Sequence, residues 1–199
     1  MIYVFCRGAL RLIYKLLFRL EASGKEHIPA EGGVLLCSNH ISLLDPPTIG
    51  ILLKRKVHFM AKKELFDIIG FGWLIKKLGA FPVKRGGVSK ESIKTSLTLL
   101  REGHVMGIFP EGTRSKGEDG GIGKRGAATF ALRSDAAVIP VAIIGNYKLF
   151  RKMRVIYGAP VDLSTFKEEK GSDSAELATE AIMSRIAELK QQATSKVHA

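Results

Sequence analysis

The sequence predicts an α/β fold, a sandwich in which helices flank a largely parallel central sheet. The first observation is that short apolar segments of strand length alternate with segments of helical periodicity along most of the chain. The second is that residues 34–37 and 138–144 run without polar interruption, as strands that are buried on both faces do. The third is the length of 199 residues, which suits one domain with a substantial core.

The N-terminal segment predicts an amphipathic helix. In residues 1–20 the only charges recur every four residues, at Arg7, Arg11, Lys15 and Arg19. This spacing places the cations in one drifting stripe and leaves the rest of the surface apolar. Four cations would be costly in a transmembrane span, and a secretory signal would place its charge before an uncharged core. We interpret residues 1–22 as a membrane-interface helix; the alternative is a helix packed on the core with its cations reaching outward.

Short apolar segments predict the strands that follow. Val34 follows two glycines that indicate a turn into a buried strand. The six predicted strands occupy residues 34–37, 57–61, 80–83, 105–109, 138–144 and 153–157.

Helical segments lie between these strands. Asp45 followed by two prolines predicts a helix start, because Asp can cap a helix and Pro suits its first turn. Residues 63–77 predict a helix that is broken at its central glycines, and residues 89–101 a helix whose apolar side chains share one face. A short helix is predicted at 127–133, and Asp173, three residues before a Glu, predicts the capping box of a C-terminal helix.

The composition limits the class of partner and the compartment. The formal charge of +12 favours an anionic partner, which could be nucleic acid, an anionic membrane surface or a phosphorylated substrate. No nucleic-acid motif, and no interleaving of basic residues with exposed aromatics, is visible, so we expect no nucleic-acid partner. Cys6 and Cys37 are too few for a disulfide scaffold, which indicates a reducing compartment. Together with the N-terminal helix, this predicts peripheral or monotopic attachment at the cytoplasmic face of the cell membrane.

Two polar segments that follow predicted strands carry the candidate chemistry: NHISLLD at residues 39–45 and FPEGTRS at residues 109–115. In the first, a turn can bring the carboxylate of Asp45 back to the imidazole of His40. The carboxylate would then fix the tautomer by accepting from one ring nitrogen, and the other nitrogen could accept a substrate proton. The second segment lies at a strand end, where open α/β sheets bind ligands.

These segments resemble two blocks of the glycerolipid acyltransferase family, the first being its H-x4-D block. Residues 79–85, GAFPVKR, and residues 138–142, VIPVA, are similar to two further blocks, and all four occur in the order of the family. The resemblance covers roughly residues 23–160. It implies the sandwich fold of that family, with residues 23–199 forming a single acyltransferase domain.

The resemblance also implies an activity: acyl transfer from a thioester to the 2-hydroxyl of lysophosphatidate, giving phosphatidate. His40 would be the general base and Asp45 its orienting partner, and backbone N–H groups near Glu111 and Gly112 would bind the oxyanion. Arginine forks suit phosphate oxygens, and Glu111 belongs to the acceptor site of the family. The substrate-binding positions that the resemblance implies are Arg85, Glu111, Gly112, Arg114, Lys62 and Lys124.

No tightly bound cofactor is expected, and the His and Cys residues lack the spacing of metal ligands. The co-substrate would be the thioester of either coenzyme A or acyl carrier protein. Two alternatives stay open. One is the same chemistry on glycerol 3-phosphate or another lysophospholipid, and the other is a non-catalytic, basic membrane-binding module.

Overall fold

A computed structural model describes residues 1–83, 89–110, 123–168 and 173–195, without the side chains of residues 123–126 and 168. Within these ranges seven strands form one sheet: β1 Glu21–Ser23, β2 Val34–Ser38, β3 Val57–Lys62, β4 Ala80–Val83, β5 Val105–Ile108, β6 Ala137–Ile144 and β7 Arg154–Tyr157. The α-helices are α1 Ile2–Phe18, α2 Asp45–Gly50, α3 Phe71–Lys77, α4 Lys90–Arg101, α5 Gly123–Leu132, α6 Ser164–Glu168 and α7 Ser174–Ser195. Two short 3-10 helices span Lys25–His27 and Lys63–Leu65.

The sheet is mostly parallel, as the sequence predicts. Its strand order is β1-β7-β6-β2-β5-β3-β4, and every neighbouring pair except β6–β7 is parallel. The carboxyl ends of β2, β3, β4, β5 and β6 therefore lie along one edge of the sheet. In open α/β sheets this edge is where ligands bind. Both polar segments of the sequence follow strands that end there.

Helices cover both faces of the sheet, and the alternation within β2 shows how. Val34 and Leu36 belong to one apolar core, which also holds residues of α1 and α2. Leu35 and Cys37 belong to a second core, which is closed by α4, α5 and α7. Because β2 is buried on both faces, its sequence carries no polar alternation. The α/β sandwich is confirmed.

The predicted elements are found with shifted boundaries. All six predicted strands are present, but β1 is missed because its three residues, EAS, form no apolar run. Helix α6 is also missed. The helix predicted at 63–77 is interrupted as expected, since α3 begins only at Phe71, after Gly70 with φ +76°. Helix α2 ends at Gly50, earlier than its apolar sequence suggested.

Helix α1 packs on the sheet by one face. Tyr14 and Phe18 are buried in the first core, and Arg7 turns toward the protein to donate to the backbone carbonyls of Leu53 and Lys54. Arg7 therefore leaves the predicted basic stripe. In the part of the chain that the structure describes, every helix is too short or too polar to cross a bilayer.

Candidate active site

His40 and Asp45 meet at the carboxyl end of β2. The Nδ1 atom of His40 lies 2.6 Å from Oδ2 of Asp45. The Asp45 side chain is fully buried, whereas 16% of the His40 side chain is exposed. The contact assigns Nδ1 as the protonated ring nitrogen, because a carboxylate oxygen can only accept. Among the described residues nothing bonds to Nε2, so this nitrogen is left as the acceptor on the partly exposed side.

The loop between β2 and α2 holds the carboxylate of Asp45 in place. The backbone N–H groups of Ile41 and Ser42 both donate to Oδ2, at 2.6 and 2.7 Å. The prediction that Asp45 caps α2 is wrong: Leu44 is the cap residue, and the helix has no side-chain cap. The physical reason is that the carboxylate turns back toward the preceding loop, where the imidazole also lies.

Asn39 fixes the backbone immediately before His40. It is 3% exposed, and its side chain exchanges two hydrogen bonds with the main chain of Ile143 in β6. The Ile143 N–H donates to Oδ1 at 2.8 Å, and Nδ2 donates to the Ile143 carbonyl at 3.1 Å. The last backbone pair between β2 and β6 is Ser38 with Val141. The amide of Asn39 thus continues the ladder by one step after the strand has ended.

Aromatic rings support the imidazole from the neighbouring strand. Phe109, which directly follows β5, stacks on His40 with ring centroids 4.2 Å apart and planes 19° apart. Phe59 of β3 lies 6.4 Å from Phe109 in a similar orientation. Gly107 makes room for it, since a Cβ at Gly107 would lie 2.2 Å from the Phe59 ring. The imidazole plane is therefore set by a hydrogen bond at one edge and by a ring on one face.

The predicted phosphate-binding residues are mostly outside the described part of the chain. Arg85, Glu111, Gly112 and Arg114 lie outside the described residues, and so does the side chain of Lys124, whose backbone belongs to the first turn of α5. Lys62 is the last residue of β3 and is exposed at the same sheet edge as the dyad. The structure thus brings together His40 and Asp45 and puts Lys62 on their side of the sheet.

Two residues of the site were missed by the sequence reasoning. The Tyr147 hydroxyl donates to Oδ1 of Asp45 at 2.6 Å, and Thr48 lies 2.8 Å from the same hydroxyl. Burial, and then the bond to Asp45, raise the pKa of Tyr147, so the phenol stays protonated as a donor. The available signal was that Tyr147 follows the VIPVAII strand closely, at the edge where NHISLLD begins.

The arrangement suits proton transfer. The pair offers a nitrogen acceptor of fixed tautomer whose partner carboxylate can stabilise the imidazolium. Within the described ranges no group of three or more His, Cys, Asp or Glu residues is placed to hold a metal ion. Fold and dyad together define an α/β protein with a candidate general base at the carboxyl edge of its sheet.

Comparison with known proteins identifies the family. A family model described as Acyltransferase matches residues 19–144, so the chain belongs to the acyltransferase family. The chain is 39% identical over 193 residues to the 1-acyl-sn-glycerol-3-phosphate acyltransferase of Bacillus subtilis, covering 94% of this chain and 96% of that protein. It is 34% identical over 137 residues to the chloroplastic enzyme LPAT1 of Arabidopsis thaliana, covering 66% of this chain but only 38% of that longer protein.

A solved structure has the same fold. The 1-acyl-sn-glycerophosphate (LPA) acyltransferase PlsC from Thermotoga maritima superposes with a TM-score of 0.68 at 25% sequence identity. The match covers 94% of this chain and 78% of that one. The resemblance that the sequence motifs indicated is therefore confirmed for family and fold.

Proposed function

We propose that this protein transfers a fatty acyl group from a thioester to the 2-hydroxyl of lysophosphatidate, giving phosphatidate for phospholipid synthesis. The observation that carries the proposal is the 2.6 Å contact between His40 and the buried Asp45, within a chain so similar to the Bacillus enzyme. The acyl donor is the thioester of coenzyme A or of acyl carrier protein. Residues 23–199 would form the acyltransferase domain.

His40 acts as the general base. Its Nε2 takes the proton of the 2-hydroxyl while the hydroxyl oxygen attacks the thioester carbonyl and forms the new C–O bond. The carbonyl electrons become a tetrahedral oxyanion, whose return expels the thiolate and breaks the C–S bond. The imidazolium then gives its proton to the departing thiolate. Asp45 holds the tautomer and stabilises the transient imidazolium, so no acyl-enzyme is needed.

An anionic acceptor requires positively charged side chains for its phosphate group. Arg85 and Arg114 would bind the phosphate, because guanidinium groups match its oxygens in pairs. Glu111 and Gly112 would belong to the acceptor and oxyanion site. Lys62 is exposed at this edge and would add positive charge there, as would Lys124.

Exposed apolar side chains near the dyad suit a lipid acceptor. Ile41 and Leu43 lie in the loop that carries His40, and both are exposed. Phe150, in the loop after β6, is exposed as well. A lysophosphatidate acyl chain could therefore lie on apolar surface while its glycerol reaches the imidazole.

Helix α1 would attach the protein to the cytoplasmic face of an anionic membrane. Exposed Val4 lies on a flank of the helix, whereas five exposed apolar side chains fall on the side away from the buried Tyr14 and Phe18, because each residue turns the helix by about 100°. They are Ile2, Phe5, Leu12, Ile13 and Leu16. Lys15 is exposed on the flank beside this face and can reach headgroups, and Arg11 is exposed on the same flank, nearer to the buried side. Residues 1–22 would form the interface segment.

An acceptor panel tests the function directly. Purified protein is assayed in mixed micelles with lysophosphatidate, glycerol 3-phosphate and other lysophospholipids, each with both thioester carriers. We expect phosphatidate from lysophosphatidate, and loss of turnover in His40→Ala. The matched control is His104→Ala, since His104 is an exposed histidine distant in sequence from the dyad. If the protein preferred another acceptor, lysophosphatidate would not be its substrate. If His40→Ala kept the turnover of the wild type, His40 would not be the general base.

Two further tests address binding. Arg85→Ala should raise the KM for lysophosphatidate with little change in kcat, whereas Arg133→Ala, at an exposed arginine, should leave the KM unchanged. An unchanged KM in Arg85→Ala would show that Arg85 does not bind the acceptor.

Replacing both Leu12 and Leu16 with Glu should release the protein from phosphatidylglycerol vesicles in sedimentation, whereas Leu177→Glu on α7 should not. Equal vesicle binding by the wild type, the double variant and Leu177→Glu would show that the protein attaches through another surface.

A further inference from the structure

The carboxylate of Asp45 is held from both of its oxygens, by different parts of the chain. Oδ2 receives three donors, all from the loop between β2 and α2: the imidazole of His40 and the N–H groups of Ile41 and Ser42. Oδ1 receives the hydroxyl of Tyr147, 102 residues away in sequence, at 2.6 Å. Among the described residues Tyr147 is the sole donor to Oδ1, so the phenol sets the rotation of the buried carboxylate.

The direction of this hydrogen bond follows from a count of protons. An ionised carboxylate can only accept, so Tyr147 gives its one proton to Asp45. The Thr48 hydroxyl has one proton and two oxygens within reach, the Leu44 carbonyl at 2.7 Å and the Tyr147 oxygen at 2.8 Å. The Leu44 carbonyl also receives the Thr48 backbone N–H at 3.1 Å, and its two lone pairs accommodate both donors. Tyr147 and His40 therefore both donate to Asp45, one to each carboxylate oxygen.

Tyr147 is itself held by the C-terminal end of α1. Its ring meets the edge of Phe18 with centroids 5.5 Å apart and planes at 90°. The loop that carries Tyr147 is tied to the same turn of helix, since the N–H of Phe150 donates to the Leu17 carbonyl and that of Met153 to the Phe18 carbonyl. Tyr147 therefore connects the end of α1 with the interior of the site.

We infer that Tyr147 is a positioning residue for acyl transfer, which acts through Asp45 to hold the His40 imidazole in its productive orientation. The inference rests on the proposed function of the dyad. The hydroxyl of Tyr147 bonds to Asp45 and contacts Thr48, and within the described ranges no hydrogen bond joins it to His40. Its contribution is to keep Oδ2, with its three donors, turned toward the imidazole. Removal of the Tyr147 hydroxyl would leave Oδ1 buried without this donor. The lost hydrogen bond is a strong one, because its acceptor is charged.

The test is Tyr147→Phe, which deletes the hydroxyl and keeps the ring against Phe18. We expect kcat with lysophosphatidate to fall about tenfold, the equivalent of about 1.4 kcal/mol in the barrier, while the KM of either substrate changes less than about twofold. The matched control is Tyr157→Phe. Tyr157 is buried and its hydroxyl also donates one hydrogen bond, but to the Ile49 carbonyl at 2.7 Å. The kcat of the Tyr157→Phe variant should stay within about twofold of the wild-type value.

A double substitution separates positioning from general stability. If Tyr147 acts through the carboxylate, Tyr147→Phe should have little further effect on kcat in an Asp45→Asn background, because the two changes disrupt one unit. Equal losses in Tyr147→Phe and Tyr157→Phe, additive losses with Asp45→Asn, or a raised KM with normal kcat would each overturn the inference.

A spectroscopic readout keeps the test independent of the substrate. The His40 Nδ1 proton, bonded to a carboxylate, should give a downfield proton NMR signal in the wild type and in Tyr157→Phe. In Tyr147→Phe this signal should shift or broaden, and an unchanged signal would refute the positioning role. If wild type lacked lysophosphatidate activity but the signal still responded to Tyr147→Phe, the proposed substrate would fail while the link from Tyr147 to the dyad stood.

Discussion

Replacement of Asn39 by Ala should be among the most damaging single changes at the edge of this sheet. The side chain is almost completely buried, and it continues the pairing of β6 on its β2 side beyond the end of β2. Truncation to Ala removes both partners of the Ile143 main chain on that side while leaving the strand itself in place. The change therefore isolates one amide.

The magnitude follows from the two bonds that are lost. A buried donor or acceptor left without its partner costs about 1–3 kcal/mol, so the loss of two partners should lower the free energy of unfolding by about 2–6 kcal/mol. A protein of this length loses about 2–4 °C in Tm for each kcal/mol, so a loss of about 4 kcal/mol lowers Tm by about 8–16 °C. His40 follows directly in the chain, so kcat should fall as well.

Denaturant unfolding followed by circular dichroism, with wild type in parallel, measures the loss. The matched control is Ser38→Ala, because Ser38 is equally buried and its hydroxyl makes one bond of 3.2 Å to a local carbonyl. We expect the control to lose no more than about 1 kcal/mol. If Asn39→Ala were as stable as Ser38→Ala, the amide would not be replacing strand pairing, and β6 would not hold the loop that carries His40 in this way.

Three further predictions concern other parts of the chain. Burial and nearby positive charge lower the pKa of His58 to about 4 from 6.5, so the neutral form stabilises the fold above about pH 6.5 and this contribution is lost as the pH falls toward 4. His58→Asn should reduce the change in unfolding free energy between pH 6.5 and pH 4 by about 1–2 kcal/mol, after allowance for solvent screening. Parallel plots of unfolding free energy against pH for the variant and the wild type would refute this prediction. Gly107→Ala should lower kcat and cost about 1–3 kcal/mol of stability, because the added Cβ would displace the Phe59 ring. If the variant unfolded and turned over like the wild type, the Phe59 ring would have room for the added methyl group. Buried Cys37, whose thiol pKa is raised by burial, should react with a thiol reagent only after denaturation, whereas the half-buried Cys6 should react in the folded protein.

The fold was predictable because its central strands β2, β5 and β6 are buried on both faces. Residues 34–37 and 138–144 are apolar throughout, and this pattern predicts buried strands even when the neighbouring strands in the sheet are unknown. β1 carries no such run, since a three-residue edge strand needs only backbone pairing with β7. The sequence also placed a cap at Asp45, because residue type and position fit one, whereas the carboxylate is used in the preceding loop.

The dyad was predictable for a different reason. His40 and Asp45 are five residues apart, so a single turn can join them, and their spacing is visible in the sequence. Tyr147 comes to Asp45 only because β6 is the neighbour of β2 in the sheet. Strand order is a property of the folded topology, and periodicity along the chain carries no record of it. Contacts of this kind become apparent only when the sheet is assembled.

The path from α1 to the dyad affects how membrane attachment should be studied. The exposed face of α1 is apolar, but its opposite face supplies Phe18 to Tyr147 and backbone carbonyls to the loop that carries Tyr147. Deletion of the helix would therefore remove the proposed membrane contact and a support of Asp45 together, and lost activity could not be assigned to either. Substitutions at Leu12 and Leu16 change the exposed face alone, because both side chains point away from the core. Activity on a soluble, short-chain acceptor should survive those substitutions and fall in Tyr147→Phe, which separates membrane attachment through the exposed face of α1 from positioning of Asp45.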